Sequence, residues 1–312
     1  MHVYVARMAV KELTPTGSEE IGGAVGLEAY VASSNKETFM LKTYRILFKG
    51  LLLQDPGSGD LILLKPGDRL VIRRATEQRC RWHPAPLNSE DDPLTRKYCL
   101  KRASTGLGYC REHANSLRAV YDACFSASGI QSREACLWLD RALGGQLSYA
   151  VYIADYGGRR LKVGSTRLFR WVDRIAEQPH LAAALVHVTR SAVDARSTER
   201  TIASGREFSE IPSRNRLRLA MHSLKLEAAK RVARAAKMLS ARGYMWNKEI
   251  VRIELPENFQ NAVETRPEKL DASRLEIRGY WGGYLLLEDE GSGKHLIALR
   301  RLLHANSVAV PV

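Results

Sequence analysis

The chain has 312 residues, which is enough for two or three domains that bury a hydrophobic core without disulfide bonds. Its formal net charge is +14 and its pI is about 9.7, a balance typical of proteins that bind polyanions such as nucleic acid. No segment has the ~18 consecutive apolar residues of a membrane span, and Met1–Arg7 lacks the apolar core of a signal peptide. We therefore expect a cytoplasmic protein with no membrane partner, whose cysteines are reduced unless a metal holds them.

Residues 1–78 are predicted to form a β-rich region that contains a hairpin. The segment Leu51–Asp60 ends in a Gly-Ser-Gly turn, and a second apolar run follows it. The same pattern recurs at Leu285–Lys294, within a second β-rich region predicted for residues 249–312. Because glycine admits positive φ in tight turns, both segments are predicted to be hairpins. The repeat arose either by duplication or by independent use of a favourable hairpin.

Three cysteines and two histidines predict a metal site in residues 79–145. A Cys-x-x-His spacing occurs twice in this segment, and a further cysteine lies between the two pairs. Two intervening residues let one tight turn direct both side chains at a single ion, as in structural zinc knuckles. The predicted zinc ligands are Cys80, Cys99, Cys110 and His113. His83 is the reserve ligand if Cys99 does not bind, and three unrelated thiols in a loop are the alternative to a metal site.

The zinc is expected to be structural, because no carboxylate or open ligand position accompanies the cysteines. The stretch from Cys99 to His113, with a glycine-bearing turn at Gly106 and Gly108, resembles a treble-clef or knuckle pattern. Cys124 and Cys136 differ from the other three cysteines, because each lies among helical residues. These two are predicted to be small core side chains.

Short apolar runs between Ser148 and Glu199 occur in the order strand, turn, strand, helix, strand, helix. The first strand is predicted at Tyr149–Ala154 and the second at Arg160–Val163, joined by a glycine-containing turn. The remaining elements are a helix from about Leu168, a strand at Ala184–Val188 and a helix at Val193–Ala203.

The segment 146–212 resembles the GIY-YIG nuclease domain, in which two tripeptides lie on the first two strands of a small three-stranded sheet. The matching tripeptides here are Ala150-Val-Tyr152 and Lys162-Val-Gly164. In that family a tyrosine deprotonates the attacking water, an arginine holds the scissile phosphate and a glutamate binds one divalent metal ion. The resemblance implies these roles for Tyr152, Arg170 and Glu199, with Mg²⁺ or Mn²⁺ as the catalytic ion.

Two departures from the GIY-YIG pattern concern its active site. Lys162 replaces the tyrosine of the second tripeptide and would serve as a phosphate ligand, and Arg170 follows Gly164 more closely than is usual in the family. The whole chain also resembles an archaeal and bacterial family that joins cysteine-rich, GIY-YIG-like and β-rich parts. Its members share a Lys-Val-Gly tripeptide that is followed by an Arg-Trp pair, which is Arg170-Trp171 in this chain. They also share a glycine-rich strand pair like Gly279–Leu285. This second resemblance implies no activity.

Residues 213–248 are predicted to form a basic amphipathic helix. Between Arg214 and Arg242 the segment has nine basic residues and one acidic residue. Apolar residues recur at steps of three and four, Ser213 is a suitable N-cap, and Gly243 ends the pattern. The apolar stripe is predicted to pack on the core and the basic face to follow a phosphate backbone; a membrane surface is the alternative, although the stripe lacks Trp and Phe. The predicted nucleic-acid ligands are Lys225, Lys230, Arg231, Arg234 and Lys237.

These patterns predict an α+β fold with β-rich ends, a zinc-knuckle segment and a GIY-YIG-like sheet with helices. P-loop, Rossmann and serine-hydrolase motifs do not occur in the sequence, which disfavours an NTPase or an oxidoreductase. Two functions remain open. One is a metal-dependent endonuclease that brings Tyr152, Lys162, Arg170 and Glu199 to one cleft. The other is a non-catalytic DNA- or RNA-binding protein, associated with ribosomes or repair complexes, that uses the nuclease fold as a scaffold.

Overall fold

The structure is a computed structural model that describes residues 5–21, 39–55, 57–74, 77–88, 96–126, 129–210, 217, 220–221, 225–270, 273–304 and 307–312. It confirms the α+β class. The strands are β1 (Val5–Ile21), β2 (Phe39–Gln54), β3 (Leu61–Leu64), β4 (Arg69–Arg74), β5 (Tyr149–Asp155), β6 (Leu161–Arg167), β7 (Ala182–Thr189), β8 (Phe208–Ser209), β9 (Glu249–Ile253), β10 (Val263–Glu264), β11 (Arg274–Trp281), β12 (Tyr284–Asp289), β13 (Lys294–Ala298) and β14 (Ser307–Pro311). The helices are α1 (Leu117–Ser126), α2 (Gly129–Leu143), α3 (Trp171–Ala176), α4 (Ala192–Ala203), α5 (Lys225–Ser240) and α6 (Leu299–His304).

The chain divides into two units, each assembled from separate segments. The first unit consists of Met1–Glu12, Ile46–Leu147 and Pro256–Val312, and the second consists of Leu13–Arg45 and Ser148–Leu255. Each unit therefore draws on more than one of the five regions predicted from the sequence. In particular, the segments predicted as a GIY-YIG-like domain and as a basic helix belong to the same unit. None of the described helices has both the length and the apolar character needed to cross a lipid bilayer.

In the second unit, β5 lies between β6 and β7 and pairs with both in antiparallel fashion, as the sequence pattern predicts. The strand β6 is longer than predicted, because the backbone of Gly164–Arg167 continues the ladder with β5. Beyond these three strands, β8 extends the sheet on the β6 side, while β9 and β2 extend it on the β7 side. All seven residues of β5 are buried, as expected for a central strand with helices on both of its faces.

The two faces of this sheet carry different helices. Side chains alternate along a strand, so Tyr152 and Asp155 of β5 point to opposite faces. On the Tyr152 face, Ile175, Trp171 and Val172 of α3 pack around the tyrosine ring. On the other face, α5 is held by Arg231, which binds the Asp155 carboxylate. The sheet is therefore a layer between α3 on one side and α5 on the other.

In the first unit, six strands form a second sheet in the order β10-β13-β12-β11-β4-β14. Both predicted hairpins are present: β2 pairs with β3, and β12 pairs with β13. In each turn an aspartate Oδ1 accepts the backbone N–H of the glycine two residues later, at 2.7 Å from Gly57 to Asp55 and at 2.9 Å from Gly291 to Asp289. The repeated Asp-x-Gly sequence thus gives the same local turn in two different sheets.

The helices α1 and α2 form an antiparallel pair that contains an unpredicted disulfide. Cys124 and Cys136 are buried, as expected for core residues, but their sulfur atoms are bonded to each other, with their Cα atoms 4.8 Å apart. The prediction that these cysteines are separate reduced thiols is therefore wrong for this structure. Cysteines twelve residues apart can face each other when one chain turn joins two packed helices, a juxtaposition that depends on where the helices end.

Candidate metal centre and nucleic-acid interface

Four side chains in the first unit converge on one point. Cys80, Cys99, Cys110 and His113 each offer one ligand atom, and these four atoms all lie within 4.8 Å of one another. Three of the separations are 3.3 Å from Cys110 Sγ to His113 Nδ1, 3.7 Å from Cys80 Sγ to His113 Nδ1, and 4.0 Å from Cys99 Sγ to Cys110 Sγ. The cluster can hold a metal ion, and it is the one such group of His, Cys, Asp and Glu found among the described residues.

Backbone hydrogen bonds fix the positions of the first two cysteines. The segment around Cys80 runs antiparallel to the segment around Cys99: the N–H of Cys80 donates to the carbonyl of Lys101, and the N–H of Cys99 donates to the carbonyl of Trp82, both at 2.8 Å. A bridge between Arg79 and Arg102 continues this short ladder. The two thiols are therefore presented by adjacent extended strands rather than by a free loop.

The other two ligands come from a 3-10 helix, Arg111–His113, that immediately precedes α1. The turn leading into it uses Gly108 at φ +81, where a side chain would be strained. The indole of Trp82 stacks on the His113 imidazole with 3.9 Å between ring centroids and 4° between planes. This stacking limits rotation of the imidazole and keeps Nδ1 directed at the thiols.

The thiols of the cluster influence one another's ionisation. Burial raises the pKa of the Cys99 thiol to about 11, and the neighbouring Cys80 and Cys110 add to that increase. Burial acts in the same direction on Cys110, but hydrogen bonds from the backbone of His113 and from the other two thiols outweigh it and lower the pKa of Cys110. The thiolate form is thus favoured at Cys110 relative to Cys99. The thiolate is the form in which cysteine binds a metal cation.

His83, the reserve ligand of the sequence prediction, is outside the cluster. Its ring is buried and packs edge-on against Tyr98, with 5.1 Å between ring centroids. Of the two alternatives left open by the spacing, the structure therefore brings Cys99 to the site. Sequence spacing alone does not distinguish Cys99 from His83 as a ligand, because both residues follow Cys80. The pairing of the two extended segments brings Cys99 to the site.

The predicted catalytic tyrosine is enclosed in the core of the second unit. Tyr152 is 1 % exposed, its hydroxyl accepts a hydrogen bond from Gln178 Nε2 at 3.2 Å, and the ammonium of Lys162 lies 5.4 Å from the centre of its ring. A Cβ added at Gly164 would stand 2.6 Å from the tyrosine hydroxyl and 2.7 Å from Lys162 Nζ. The glycine of the second tripeptide is therefore required by the close approach of these two side chains.

Glu199 lies on the opposite side of the sheet from Tyr152. Tyr152 pairs with Gly164 across the β5–β6 ladder, so the next residue, Ser165, points to the other face. The Ser165 hydroxyl donates to the Glu199 carboxylate, and Arg196 Nη1 binds the same oxygen at 2.6 Å. Glu199 is 5 % exposed, and its described partners are a serine and an arginine rather than other carboxylates.

The predicted phosphate-binding arginine is also engaged with protein. Arg170 ends the 3-10 helix between β6 and α3, and its guanidinium binds Glu177 Oε1 at 2.7 Å. The structure therefore places Lys162 beside Tyr152, puts Arg170 in an ion pair, and separates Glu199 from Tyr152 by the sheet. It does not bring the four predicted catalytic residues to one cleft.

The predicted basic helix is described as α5, and Ser213 lies outside the described residues. The helix ends as predicted, because Gly243 at φ +91 follows its last turn. The backbone of Lys225 is helical, and Lys230, Arg234 and Lys237 lie along one flank, with Arg234 and Lys237 exposed. The opposite flank is buried and consists of Ala228, Ala229, Val232, Ala233, Ala235, Ala236 and Leu239.

One predicted nucleic-acid ligand has a different role. Arg231 faces the sheet, where its guanidinium binds both carboxylate oxygens of Asp155 and its Nη1 donates to the carbonyl of Gly158 at 2.6 Å. Asp155 is 1 % exposed, so this ion pair attaches α5 to the end of β5. Arg231 adjoins Lys230 in sequence, but adjacent helical residues point about 100° apart, so Arg231 lies outside the exposed stripe.

Sequence reasoning did not find the residues that support these sites. Trp82, between Cys80 and His83 in the sequence, stacks on the His113 imidazole, a contact that the Cys-x-x-His spacing does not indicate. Arg196 is the ion-pair partner of Glu199, and the spacing of three residues on a helix is the sequence signal for this contact. Gln178, which connects Tyr152 to the hydroxyl of Tyr156, has no local sequence signal at all.

The structure thus defines an α+β protein with two candidate sites. One is a Cys₃His cluster that can hold a metal ion, and the other is a stripe of basic residues on a helix. Comparison of the chain with models of protein families, with curated proteins and with solved structures finds no match in any of the three. The GIY-YIG resemblance accordingly stays a prediction that rests on the tripeptides at Tyr152 and Gly164.

Proposed function

We propose that this protein binds nucleic acid without cleaving it, that a structural zinc ion occupies the Cys₃His cluster, and that the GIY-YIG-like sheet is a scaffold for the binding surface. The observation that carries the proposal is the stripe of Lys230, Arg234 and Lys237 on α5. These residues recur at steps of four and three, so they lie above one another on one helix flank. A row of cations on a rigid helix can follow the phosphates of a polynucleotide backbone.

Zinc is the metal that suits the cluster. Three thiolates and one imidazole are a common ligand set for structural zinc, and the softness of sulfur selects zinc over the oxygen-binding ions Mg²⁺ and Mn²⁺. A tetrahedral zinc site with Zn–S bonds of ~2.3 Å has ligand atoms ~3.7 Å apart, close to the separations of 3.3, 3.7 and 4.0 Å seen here. Four protein ligands leave no open position, which is typical of a structural site.

We propose no hydrolytic activity, because the residues with implied catalytic roles bind other protein groups and do not lie together at one site. The Glu199 carboxylate, which would bind Mg²⁺ or Mn²⁺, is paired with Arg196. The Tyr152 hydroxyl is buried against Gln178, where water has little access to it. A nuclease mechanism would need both groups at one phosphate.

The nucleic-acid interface is tested by measuring affinity for labelled single-stranded RNA and duplex DNA over a series of salt concentrations. The variant Lys230→Ala/Arg234→Ala/Lys237→Ala is expected to weaken binding and to reduce the slope of log affinity against log salt by about 2 to 3, since each lost phosphate contact removes about one counterion. The matched control is Arg159→Ala/Arg190→Ala/Arg206→Ala, which removes the same charge from exposed positions of the same unit. Equal effects of the two triple variants, or no binding by the parent protein, would contradict the assignment.

Catalysis is tested on the same substrates with added Mg²⁺ or Mn²⁺. We expect no cleavage beyond that of a buffer control. Cleavage by the parent protein that disappears in Tyr152→Phe, which retains the aromatic ring, would show that the non-catalytic assignment is wrong.

The zinc assignment is tested by elemental analysis of the purified protein. We expect about one zinc ion per chain, and its loss in Cys110→Ser, because the cluster then lacks one of its four ligands. The matched control is His83→Asn, which changes the other histidine of the same spacing and should leave the zinc content unchanged. Zinc retained in Cys110→Ser, or lost in His83→Asn, would refute the ligand set.

A further inference from the structure

A cleft with a volume of about 560 Å³ opens beside the metal-ligand cluster in the first unit. Its lining includes Lys101, Arg102 and Ser104 from one side and Cys110, Arg111 and Glu112 from the other. The first group follows the extended segment that presents Cys99, and the second group forms the start of the 3-10 helix that presents His113. The two walls of the cleft are therefore continuous with the two halves of the cluster.

The cleft is rich in positive charge. Three of its lining side chains are cationic and one is acidic. Lys101 forms an ion pair with Glu112, and Arg102 lies 3.6 Å from Glu77, an exposed contact in which 72 % of the arginine side chain remains accessible. Arg111 is exposed and makes no ion pair within the described part of the chain. At least one guanidinium is thus available to a ligand, and a second is held only weakly.

The cations stand on backbone that is held in place by the cluster. The carbonyl of Lys101 accepts the N–H of Cys80 at 2.8 Å, and Arg111 directly follows Cys110, whose carbonyl accepts the N–H of His113 at 3.1 Å. The backbone that carries these side chains is therefore already ordered before a ligand binds in the cleft. Such pre-organisation lowers the entropic cost of association.

We propose that this cleft binds a phosphate group of a nucleic acid; this inference rests on the proposed function. Arginine presents a planar fork that matches two phosphate oxygens, and lysine and serine can each donate one further hydrogen bond. Contacts of this kind position a backbone without reading its sequence. The metal centre then has a second role, because it sets the spacing between the lysine and arginine sides of the phosphate site.

The affinity test compares two double variants of the full zinc-loaded chain. Arg102→Ala/Arg111→Ala is expected to weaken binding of labelled RNA by about tenfold and to lower the salt slope by about 2, because two charged contacts are lost. The matched control is Arg133→Ala/Arg141→Ala, which removes two exposed arginines of α2 in the same unit and should change the affinity less than twofold. Equal affinities for the two double variants would overturn the cleft assignment.

A variant with the opposite expected effect separates a phosphate site from general loss of charge or structure. Glu112→Gln removes the acid that pairs with Lys101 and should strengthen RNA binding, provided that elemental analysis shows unchanged zinc. Weaker binding by this variant at full zinc content would contradict a phosphate site.

Inorganic pyrophosphate provides a readout that does not depend on the proposed function. It is expected to shift the backbone amide resonances of residues 101–112 in the parent protein and not in Arg102→Ala/Arg111→Ala. If RNA binding is absent while these shifts occur, the proposed function fails and the cleft stands. If RNA binds but pyrophosphate produces no shift in residues 101–112, the cleft assignment fails and the proposed function stands.

Discussion

Arg196 and Glu199 form an ion pair that is almost entirely removed from solvent, with 8 % and 7 % of their side chains accessible. Glu199→Ala removes the close partner of the Arg196 guanidinium and leaves it with the more distant Glu210 at 3.9 Å, so the free energy of unfolding is expected to fall by about 3 kcal/mol. The control Glu177→Ala breaks the more exposed pairs with Arg170 and Arg174 and should cost less than about 1 kcal/mol. Denaturant unfolding of both variants is the measurement. Similar losses in the two would show that Glu199 has no special structural role.

His180 is completely buried after α3, and its Nδ1 lies 3.1 Å from the carbonyl oxygen of Gln178. Burial lowers the pKa of His180 from 6.5 to about 4, although hydrogen bonds to the carbonyls of Gln178 and Ile175 act in the opposite direction. Between these pH values the unfolded chain binds a proton that the folded chain does not. Stability is therefore expected to be fully present above pH 6.5 and to decrease by up to about 3 kcal/mol as the pH falls to about 4.

The measurement for His180 is denaturant unfolding over this pH range. His180→Gln should have a flatter profile than the parent protein, because the variant lacks the group that binds a proton only in the unfolded chain. Equal pH dependence in His180→Gln and the parent protein would rule out His180 as the group responsible.

At the residue scale, the sequence predicted the four side chains that converge in the Cys₃His cluster, but it did not predict how the residues with implied catalytic roles are arranged. Cys110 and His113 are brought together by one local turn, so their spacing contains the geometry. Cys80 and Cys99 depend on the pairing of two extended segments, and His83 stays outside the cluster although it has the same spacing from Cys80. The relation between Tyr152 and Glu199 depends instead on strand register. The second strand was predicted to end at Val163, but it continues through Ser165 to Arg167, and the alternation of side chains then puts Glu199 across the sheet from Tyr152.

At the scale of elements, a disulfide connects α1 and α2, two helices that pack against each other. Replacing both cysteines, as in Cys124→Ala/Cys136→Ala, should lower the free energy of unfolding by about 3 kcal/mol, since the bond closes a loop of 12 residues in the unfolded chain. A reducing agent should destabilise the parent protein by a similar amount and leave the double variant unaffected. Equal sensitivity of the two proteins to the reducing agent would mean that this bond is not responsible.

Helix periodicity predicted α5, its buried alanine-rich flank and its end at Gly243, because each of these depends on residues within a few turns. It did not predict Arg231, whose partner Asp155 is 76 residues away in the chain. The same distinction applies to the hairpins, where Asp55 and Asp289 form local turns that the sequence predicted correctly. Ion pairs between distant elements require knowledge of which helix covers which strand.

At the scale of the whole molecule, the metal-ligand cluster belongs to the first unit and the sheet around β5 belongs to the second. Removing the proposed zinc ion with a chelator should therefore increase amide hydrogen exchange mainly in residues 77–126, while β5, β6 and β7 keep their protection. Hydrogen exchange followed by mass spectrometry of peptides measures both units in one experiment. A uniform loss of protection across the chain would show that the metal stabilises the protein as a whole.

The segment that carries the GIY-YIG resemblance has sheet neighbours that come from distant parts of the chain. Met40–Tyr44 of β2 pairs with β9, and Ala183 of β7 pairs with Val251 of β9. A recombinant fragment limited to 146–212 would leave the outer side of β7 without a hydrogen-bonded neighbour, an arrangement that promotes aggregation. A fragment that reproduces the part of this sheet in the second unit must therefore join residues 13–45 to residues 148–255 through an artificial linker. If the shorter fragment aggregates, the cause is the unpaired edge of β7, and the result gives no information about activity.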